Sequence, residues 1–495
     1  MSGRYTIGID VGTTGTKTAL LDVDGRITAV ATREVALGSP LPGAAEADPG
    51  RWTANVHESI REVVAAASID PRQVAGIAAS GMVPAIVLLD EELRPLRAAV
   101  LQNDARATRE IDTVADAVAG LDVVALTGSA VTQQSVGPKA LWFSRHEPRT
   151  WARTRWIVGS YDAVLIALGA APHVERNWAI ESGLFTLDGA HLDAVLDASG
   201  VDADRLPPVL DPGREAGRLS EAAAEATGLP AGVPLIVGGA DHVLSAYAAG
   251  VAEPGDWLIK LGGAGDILAA SQEKVVDARL YLDAHPVPGR WLPNGCMATS
   301  GSLIRWYQKL IGGEDLLRLD AEAADRRPSA VLCLPYFLGE KSPLNDPDLR
   351  GTFAGLHLGH TRADLYRSVL EAIAFGFRHH TEVFRELGVP LRRALITNGG
   401  SKSTLWKQIH AEVLGTDVTP IVDHPGASLG AAVLAGIGAG AVEPTAPVGR
   451  FSQLGQPVRP DPENVRTYDD AYARWRELGD AVAPVSHALA RRDAY

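Results

Sequence analysis

A strand–turn–strand unit occurs twice in this chain, half a chain apart. Residues 7–22 read IGIDVGTTGTKTALLD, and residues 255–271 read GDWLIKLGGAGDILAAS. In each, an apolar run enters a turn of glycine, threonine or alanine, and a second apolar run leaves it. Two apolar runs around a turn without bulk read as a β-hairpin. GTTG at 12–15 corresponds to GGAG at 262–265, an offset of 250 in a chain of 495 residues. A unit repeated at half the chain length predicts two similar domains, residues 1–250 and 251–495.

The turns suggest chemistry. Small residues let backbone N–H groups approach an anion, and threonine hydroxyls add donors. Asp10 ends the first strand, where a phosphate held by the turn would arrive. Two negative groups repel unless a cation stands between them, and Mg²⁺ prefers oxygen ligands. An ordinary hairpin with an exposed aspartate is the plain alternative. The second copy has Lys260 where the first has Asp10, so the halves are not equivalent. Neither turn follows the G-x-x-x-x-G-K-[ST] pattern.

Two further stretches pair a strand with a glycine turn and a helix. In VPLIVGGADHVLSAYAAG (233–250) Asp241 opens the helix, either as its cap or as a catalyst. In RRALITNGGSKSTLWKQIHAEVLG (392–415) a helix N-terminus follows Gly399 and Gly400, which suits a nucleotide.

Composition narrows the partners. A net charge of −14 argues against nucleic acid or an anionic membrane. Cys296 and Cys333 are the only cysteines, too few for a disulfide framework and in keeping with a reducing cytoplasm. MSGRYTIGID carries no signal-peptide pattern, and no apolar run approaches the ~18 residues of a membrane span, so a cytoplasmic location is expected. The histidines show neither H-E-x-x-H nor paired Cys/His spacing, so no structural zinc is expected.

The ordered motifs resemble the FGGY family of carbohydrate kinases. GTFAGLHLGHTRADLYRSVLE (351–371) satisfies the family's C-terminal signature, and the other elements follow the family's order. These are D-x-G-T-T-x-x-K (10–17), QNDAR (102–106), GPKALWFSRHEP (137–148), GGAD (238–241), PYFLGEKSPLNDPDLRG (335–351), NGGSKSTLW (398–406) and GASLGAAVLA (426–435). The resemblance implies two actin-like, ribonuclease-H-like α/β domains, each a mixed sheet flanked by helices, with an active-site cleft between them. It implies a sugar bound mainly by the N-terminal domain and ATP bound mainly by the C-terminal one. The reaction implied is transfer of the γ-phosphate to a sugar hydroxyl. Asp241 matches the general base and Asp10 the Mg²⁺-linked aspartate. Gly12, Thr13 and Thr14 would face the γ-phosphate from one side. Gly262, Gly263 and Gly265 would cradle phosphates from the other. Gly301, Gly399 and Gly400 complete the nucleotide set, and Met82, Asn103, Asp104, Asp241 and His242 would line the sugar. Lys17 falls on the outgoing strand, where a structural role is expected. The implied partners are a sugar and ATP, with no nucleic acid and no membrane; a homodimer is left open.

Departures from the family pattern bear on the substrate. Xylulose kinases commonly read S-G-Q-M-H-G where this chain has SGMVPA (80–85), so Met82 and Pro84 replace a glutamine and a histidine. Gln102 stands for the usual tryptophan before Asn103-Asp104, and His242 for the usual asparagine after Asp241. Gly263-Ala264-Gly265 replaces Thr-Ser-Gly and loses two hydroxyls. A less polar wall redirects specificity, because unpaired polar groups reject analogues. Conversion of D-xylulose to D-xylulose 5-phosphate is the expected reaction. Another ketopentose, a polyol or a sugar acid is the alternative, and a non-catalytic sugar sensor or other actin-like ATPase a distant one. Trp142, Trp151 and Trp156 read as packing. NWAIESGLFTLD (177–188) reads as an inserted strand, with Asn177 and Glu181 either touching substrate or at the surface. The 468–490 tail reads as a helix packed on the C-terminal domain.

Overall fold

The computed structural model describes residues 4–41, 43–422, 426–443 and 451–493; the first three residues of the MSGRYTIGID stretch lie outside them. The chain divides into two units. Unit 1 comprises Met1–Gly250, Asp283–Arg290 and Pro425–Phe451, and unit 2 comprises Val251–Leu282, Trp291–His424 and Ser452–Tyr495. One crossing falls between Gly250 and Val251. Two later segments return to unit 1, which a single cut at 250 does not provide.

Unit 1 is built on a six-stranded sheet. Its strands are β1 (Tyr5–Val11), β2 (Gly15–Asp22), β3 (Ile27–Glu34), β4 (Val74–Gly81), β5 (Glu215–Arg218) and β6 (Pro234–Ala240), in the order β5-β6-β4-β1-β2-β3. β1, β2 and β3 form an antiparallel meander. β4 joins β1 in parallel, β6 joins β4 in parallel, and β5 closes the edge antiparallel. Helices α1 (Pro49–Ala66), α2 (Arg176–Ser182) and α3 (Asp241–Ala248) belong to this unit.

The Ala427–Gly438 helix also lies in unit 1, although it comes late in the chain. It carries no charged residue and buries almost every side chain, packing with Leu21, Ala78, Ile236, Leu244 and Tyr247. Glycine makes this approach feasible. A Cβ on Gly8 of β1 would sit 1.9 Å from the Ser428 carbonyl oxygen and 2.3 Å from the Ala432 nitrogen. Backbone meets backbone there, so no side chain fits.

Unit 2 repeats the topology. Its strands are β7 (Asp256–Leu261), β8 (Gly265–Ala269), β9 (Trp291–Met297), β10 (Arg393–Thr397), β11 (Val418–Val422) and β12 (Gln453–Leu454), in the order β9-β8-β7-β10-β11-β12 with Tyr281–Ala284 beyond β9. β7, β8 and β9 are an antiparallel meander. β10 and β11 follow in parallel, and β12 closes antiparallel. β7, β8, β9, β10 and β11 repeat β1, β2, β3, β4 and β6 in order and direction, so the repeat seen in two hairpins extends to five strands; Tyr281–Ala284 is an addition, and β12 follows its neighbour in the chain where β5 precedes its own.

Helices α4 (Gly301–Leu310), α5 (Arg362–Glu386), α6 (Thr404–Leu414) and α7 (Pro462–Asp493) flank this second sheet. The 351–371 signature is largely scaffold. The Asp364 carboxylate accepts from Thr361 N and Oγ1 at 2.8 Å each and caps α5. Arg367 and Glu371 form a buried pair at 2.8 Å, both bonded to the Tyr468 hydroxyl on α7. Tyr468, Tyr472 and Trp475 are buried, so the tail packs on unit 2 as expected.

Two local expectations are corrected. Residues 176–182 are helical, not a strand: the Glu175 carboxylate caps α2 through Trp178 N at 3.2 Å, and Gly183 ends it in a left-handed conformation. Asn177 is wholly buried rather than at the surface. The tryptophans pack beneath arginines, with Arg106, Arg205 and Arg155 lying 4.9, 4.8 and 3.8 Å over Trp142, Trp151 and Trp156.

Candidate active site

In unit 1 the sheet register gathers the motif residues. Asp10 pairs with Ser80, Val11 with Gly81, and Gly81 with Ala240. Asp10, the Gly81-Met82 corner and Asp241 therefore leave three neighbouring parallel strands at their carboxyl ends, the edge where α/β sheets place ligands. Opposite Asp10 on β2 stands Lys17. Gly12 N donates to the Gly15 carbonyl at 2.9 Å and closes the turn that presents Thr13 and Thr14.

Asp241 is the first residue of α3. Ala240 holds the cap position and makes no side-chain cap bond, so the cap reading of Asp241 is not carried by the structure. An acidic residue in a first turn is favoured by the helix dipole. Its side chain is 42% exposed, which leaves it reachable.

Around Asp241 lies a charged cluster that the sequence reading did not assemble. His242 Nε2 is 2.8 Å from Asp283 Oδ2 and 3.7 Å from Glu181 Oε1, and its Nδ1 is 3.4 Å from Asp241 Oδ1. The short contact to Asp283 is a hydrogen bond. Asn177 fixes the neighbouring backbone with two bonds: it donates to the Ala284 carbonyl at 3.0 Å and accepts from Ala284 N at 2.7 Å. Burial opposes a charge on His242, but the surrounding carboxylates, Asp283 foremost, hold its pKa well above the usual imidazole value. Burial and the Asp283 carboxylate push Glu181 up as well. Behind them Glu175 is buried, accepts from the Tyr161 hydroxyl at 2.9 Å, and is pushed up by burial to about 7. The one signal in the sequence for Asp283 is an aspartate inside the apolar run YLDA.

The remaining unit 1 residues divide. Met82 is buried, as is the whole of 81–90, so this segment contributes shape rather than exposed polar groups. The Met82 carbonyl accepts from Ser160 Oγ at 3.1 Å. Asn103 is exposed. Asp104 differs from the expected sugar contact. It is buried and accepts from Ala45 N at 2.6 Å, from Arg106 N at 3.0 Å and from the Arg106 guanidinium at 2.8–3.0 Å. Both its oxygens are engaged in holding the 102–106 turn. Lys139, from the GPKALWF motif, is buried beside it and donates to the Leu101 and Gln102 carbonyls at 3.2 and 3.3 Å. Desolvation lowers its pKa to about 8.

In unit 2 a cavity of about 780 Å³ is lined by Gly262, Gly263, Gly301, Gly399 and Gly400, together with Leu261, Ile304, Leu316, Leu317, Tyr366 and Trp406. Glycine faces and apolar walls share the lining with Arg305, Asp320 and Lys402, a mixture that suits the phosphates and base of a nucleotide. Two of these glycines are there for want of room. A Cβ on Gly301 would lie 2.6 Å from the Gly262 carbonyl oxygen, and one on Gly400 would lie 2.2 Å from the Trp406 ring. Ser300 N, Gly301 N and Ser302 N donate to the Gly262 and Gly263 carbonyls at 2.8–3.0 Å and tie α4 to the turn. Asn398 holds φ 72° and ψ −171°, a strained backbone region used almost only by glycine, and so turns the chain into Gly399. Gly265 stands apart from its expected group: it begins β8 and packs against Phe377 and Ser300.

Comparison with known proteins agrees with both halves. Residues 5–248 match the N-terminal domain, and residues 261–439 the C-terminal domain, of the FGGY family of carbohydrate kinases. The chain is 27% identical to a xylulose kinase of Bacillus subtilis (strain 168) over 494 residues, covering 98% of this chain and 99% of that one. It is 28% identical to a xylulose kinase of Escherichia coli (strain K12), covering 97% and 99%. The crystal structure of xylulose kinase from Rhodospirillum rubrum superposes with a TM-score of 0.91 at 40% identity, covering 98% of this chain and all of that one. Two sheets of one topology, the gathered strand ends and these matches lead to one conclusion: the chain belongs to the FGGY family of carbohydrate kinases.

Proposed function

We propose that this kinase phosphorylates D-xylulose with ATP, giving D-xylulose 5-phosphate and ADP, and that Asp241 is its general base. The observation that carries the reading is the register of β1, β4 and β6, which brings Asp10 and Asp241 to one sheet edge. The names of the relatives support the substrate. The acceptor oxygen attacks the γ-phosphorus while the bond to the β–γ bridging oxygen breaks and ADP departs. The hydroxyl proton passes to the Asp241 carboxylate, whose side chain is exposed enough to be reached. Gly262 and Gly263 offer backbone amides, and Gly301 little bulk, to the phosphates, and the apolar walls of the unit 2 cavity suit the base. Asp10, a carboxylate beside a hydroxyl-bearing turn, fits Mg²⁺ by its donor chemistry. When bound there, Mg²⁺ supplies charge neutralisation for the phosphates.

A coupled ADP-release assay over D-xylulose, other ketopentoses, polyols and sugar acids tests the substrate. D-Xylulose is expected to give the highest kcat/KM, and a different winner replaces that part of the reading. Asp241→Ala is expected to lose at least ~100-fold in turnover, with ATP binding kept in calorimetry. Turnover near wild type in that variant removes Asp241 from the base role.

A further inference from the structure

We propose that His242 is a positioning residue for the Asp241 carboxylate, its imidazole held between Asp241 on one nitrogen and Asp283 with Glu181 on the other. The proposal rests on the reading of Asp241 as the base. Nδ1 lies 3.4 Å from Asp241 Oδ1, and Nε2 lies 2.8 Å from Asp283 Oδ2 and 3.7 Å from Glu181 Oε1. With carboxylate oxygens at both nitrogens, the ring that satisfies them donates from both, which is the imidazolium. The electrostatics agree, since the three carboxylates outweigh the burial that opposes this charge.

The ring cannot drift easily. Asp283 sits in a segment whose next residue, Ala284, is clasped by both ends of the Asn177 amide. Glu181 rides on the same helix as Asn177. One short helix and one returning segment of chain thus place both partners of Nε2. The charged groups facing His242 are Asp241 on its own helix, Glu181 on α2 and Asp283 in the returning segment, with Glu175 behind Glu181. The 427–438 helix, which packs with Leu244 and Tyr247 of α3, carries no titratable residue.

Two consequences follow for the base. The imidazolium lies 3.4 Å from Oδ1 of Asp241 and so constrains the orientation of that carboxylate. A cation at this distance also favours the ionised carboxylate, so the base stays available at lower pH.

The test uses the full-length chain, ATP, and the best acceptor among D-xylulose, D-ribulose and xylitol. His242→Asn and Asp283→Asn are each measured for kcat, KM and the pH dependence of kcat, beside Asp241→Ala. Each of the first two is expected to lower kcat about tenfold, to change the sugar KM less than about threefold, and to move the acid limb of kcat up by about one pH unit. The double variant is expected to lose about as much as either single one, because the two residues act through one ring. A His242→Asn enzyme with wild-type kcat and an unmoved acid limb overturns the proposal. So does a loss of kcat with no movement of the limb, which describes a merely structural side chain. If His242→Asn melts early, Asp283→Asn decides by the same readouts. An active Asp241→Ala enzyme instead overturns the base assignment itself, which keeps the two failures apart.

Discussion

The hairpins of the two units differ by one residue and by the order of their charges. In unit 1, Asp10 on the incoming strand pairs with Lys17, and Val11 pairs with Thr16, leaving residues 12–15 in the turn. In unit 2, Lys260 on the incoming strand pairs with Asp266, and Leu261 pairs with Gly265, leaving 262–264. The longer turn carries two hydroxyls beside a carboxylate. The shorter one carries none and lies beside a lysine, whose ammonium is 3.3 Å from Asp266. One backbone device thus acquired two chemistries. An acidic, hydroxyl-bearing turn suits a hydrated cation, and a bare amide turn suits the phosphate oxygens themselves.

The largest effect expected from this contrast is at Asp10. Asp10→Asn is expected to cut turnover on the order of 100-fold and to raise the Mg²⁺ concentration needed for half-maximal rate, while sugar binding persists in calorimetry. An unchanged Mg²⁺ titration would reduce Asp10 to a strand-end residue and break the comparison. Lys260→Met is expected to act on the other substrate, raising the ATP KM about tenfold with Mg²⁺ demand unchanged.

Next come the glycines. Gly301→Ala forces a methyl to 2.6 Å from the Gly262 carbonyl oxygen in the 262–264 turn. Overpacking of this kind costs about 1–3 kcal/mol, and here it should also raise the ATP KM with the sugar KM unmoved. Gly263→Ala is the internal control. Its Cβ would meet nothing within 4 Å, so a melting temperature close to wild type is expected. Equal effects from the two would show that crowding is not what selects glycine there.

The smallest effect is on stability against pH, and each unit supplies one carboxylate. Glu175 in unit 1 and Glu340 in unit 2 are both raised by burial from 4.5 to about 7. A folded-state pKa above the unfolded one means that the folded form holds the proton more tightly. The resulting stabilisation is complete below about 4.5 and is lost as pH rises towards 7. Glu175→Gln and Glu340→Gln should each flatten the fall in melting temperature across that window, by on the order of 1–3 kcal/mol per group. A slope as steep as wild type in both variants would mean that other groups carry it.

Much of the architecture was legible along the chain. Apolar runs around small turns gave both hairpins and their offset, because a strand's pattern and a glycine turn are local properties. The Gly-Gly turn before residues 404–414 and the helical tail were legible for the same reason. The glycines at 262, 263, 301, 399 and 400 do line one cavity. What misled was polarity read without neighbours. Asp104 looked available for a ligand, and Arg106 has claimed it. Gly265 looked like part of a phosphate turn, and it makes room for Phe377. Residues 176–182 looked like a strand, and a carboxylate cap with a left-handed glycine made them a helix.

By itself the sequence determined most of the elements it addressed, the doubled plan and the identity of the motif residues, since these depend on periodicity and on which side chains are present. Only the tertiary structure decided which distant segments share a unit. The 427–438 helix joins the first sheet because its small residues and Gly8 allow two backbones to meet, a fit no local pattern announces. Asp283 reaches His242 because Asn177 clasps the chain next to it, across more than a hundred residues. Charges act through space with no regard to sequence separation. The surroundings of Asp241 could therefore be known only once the chain was folded.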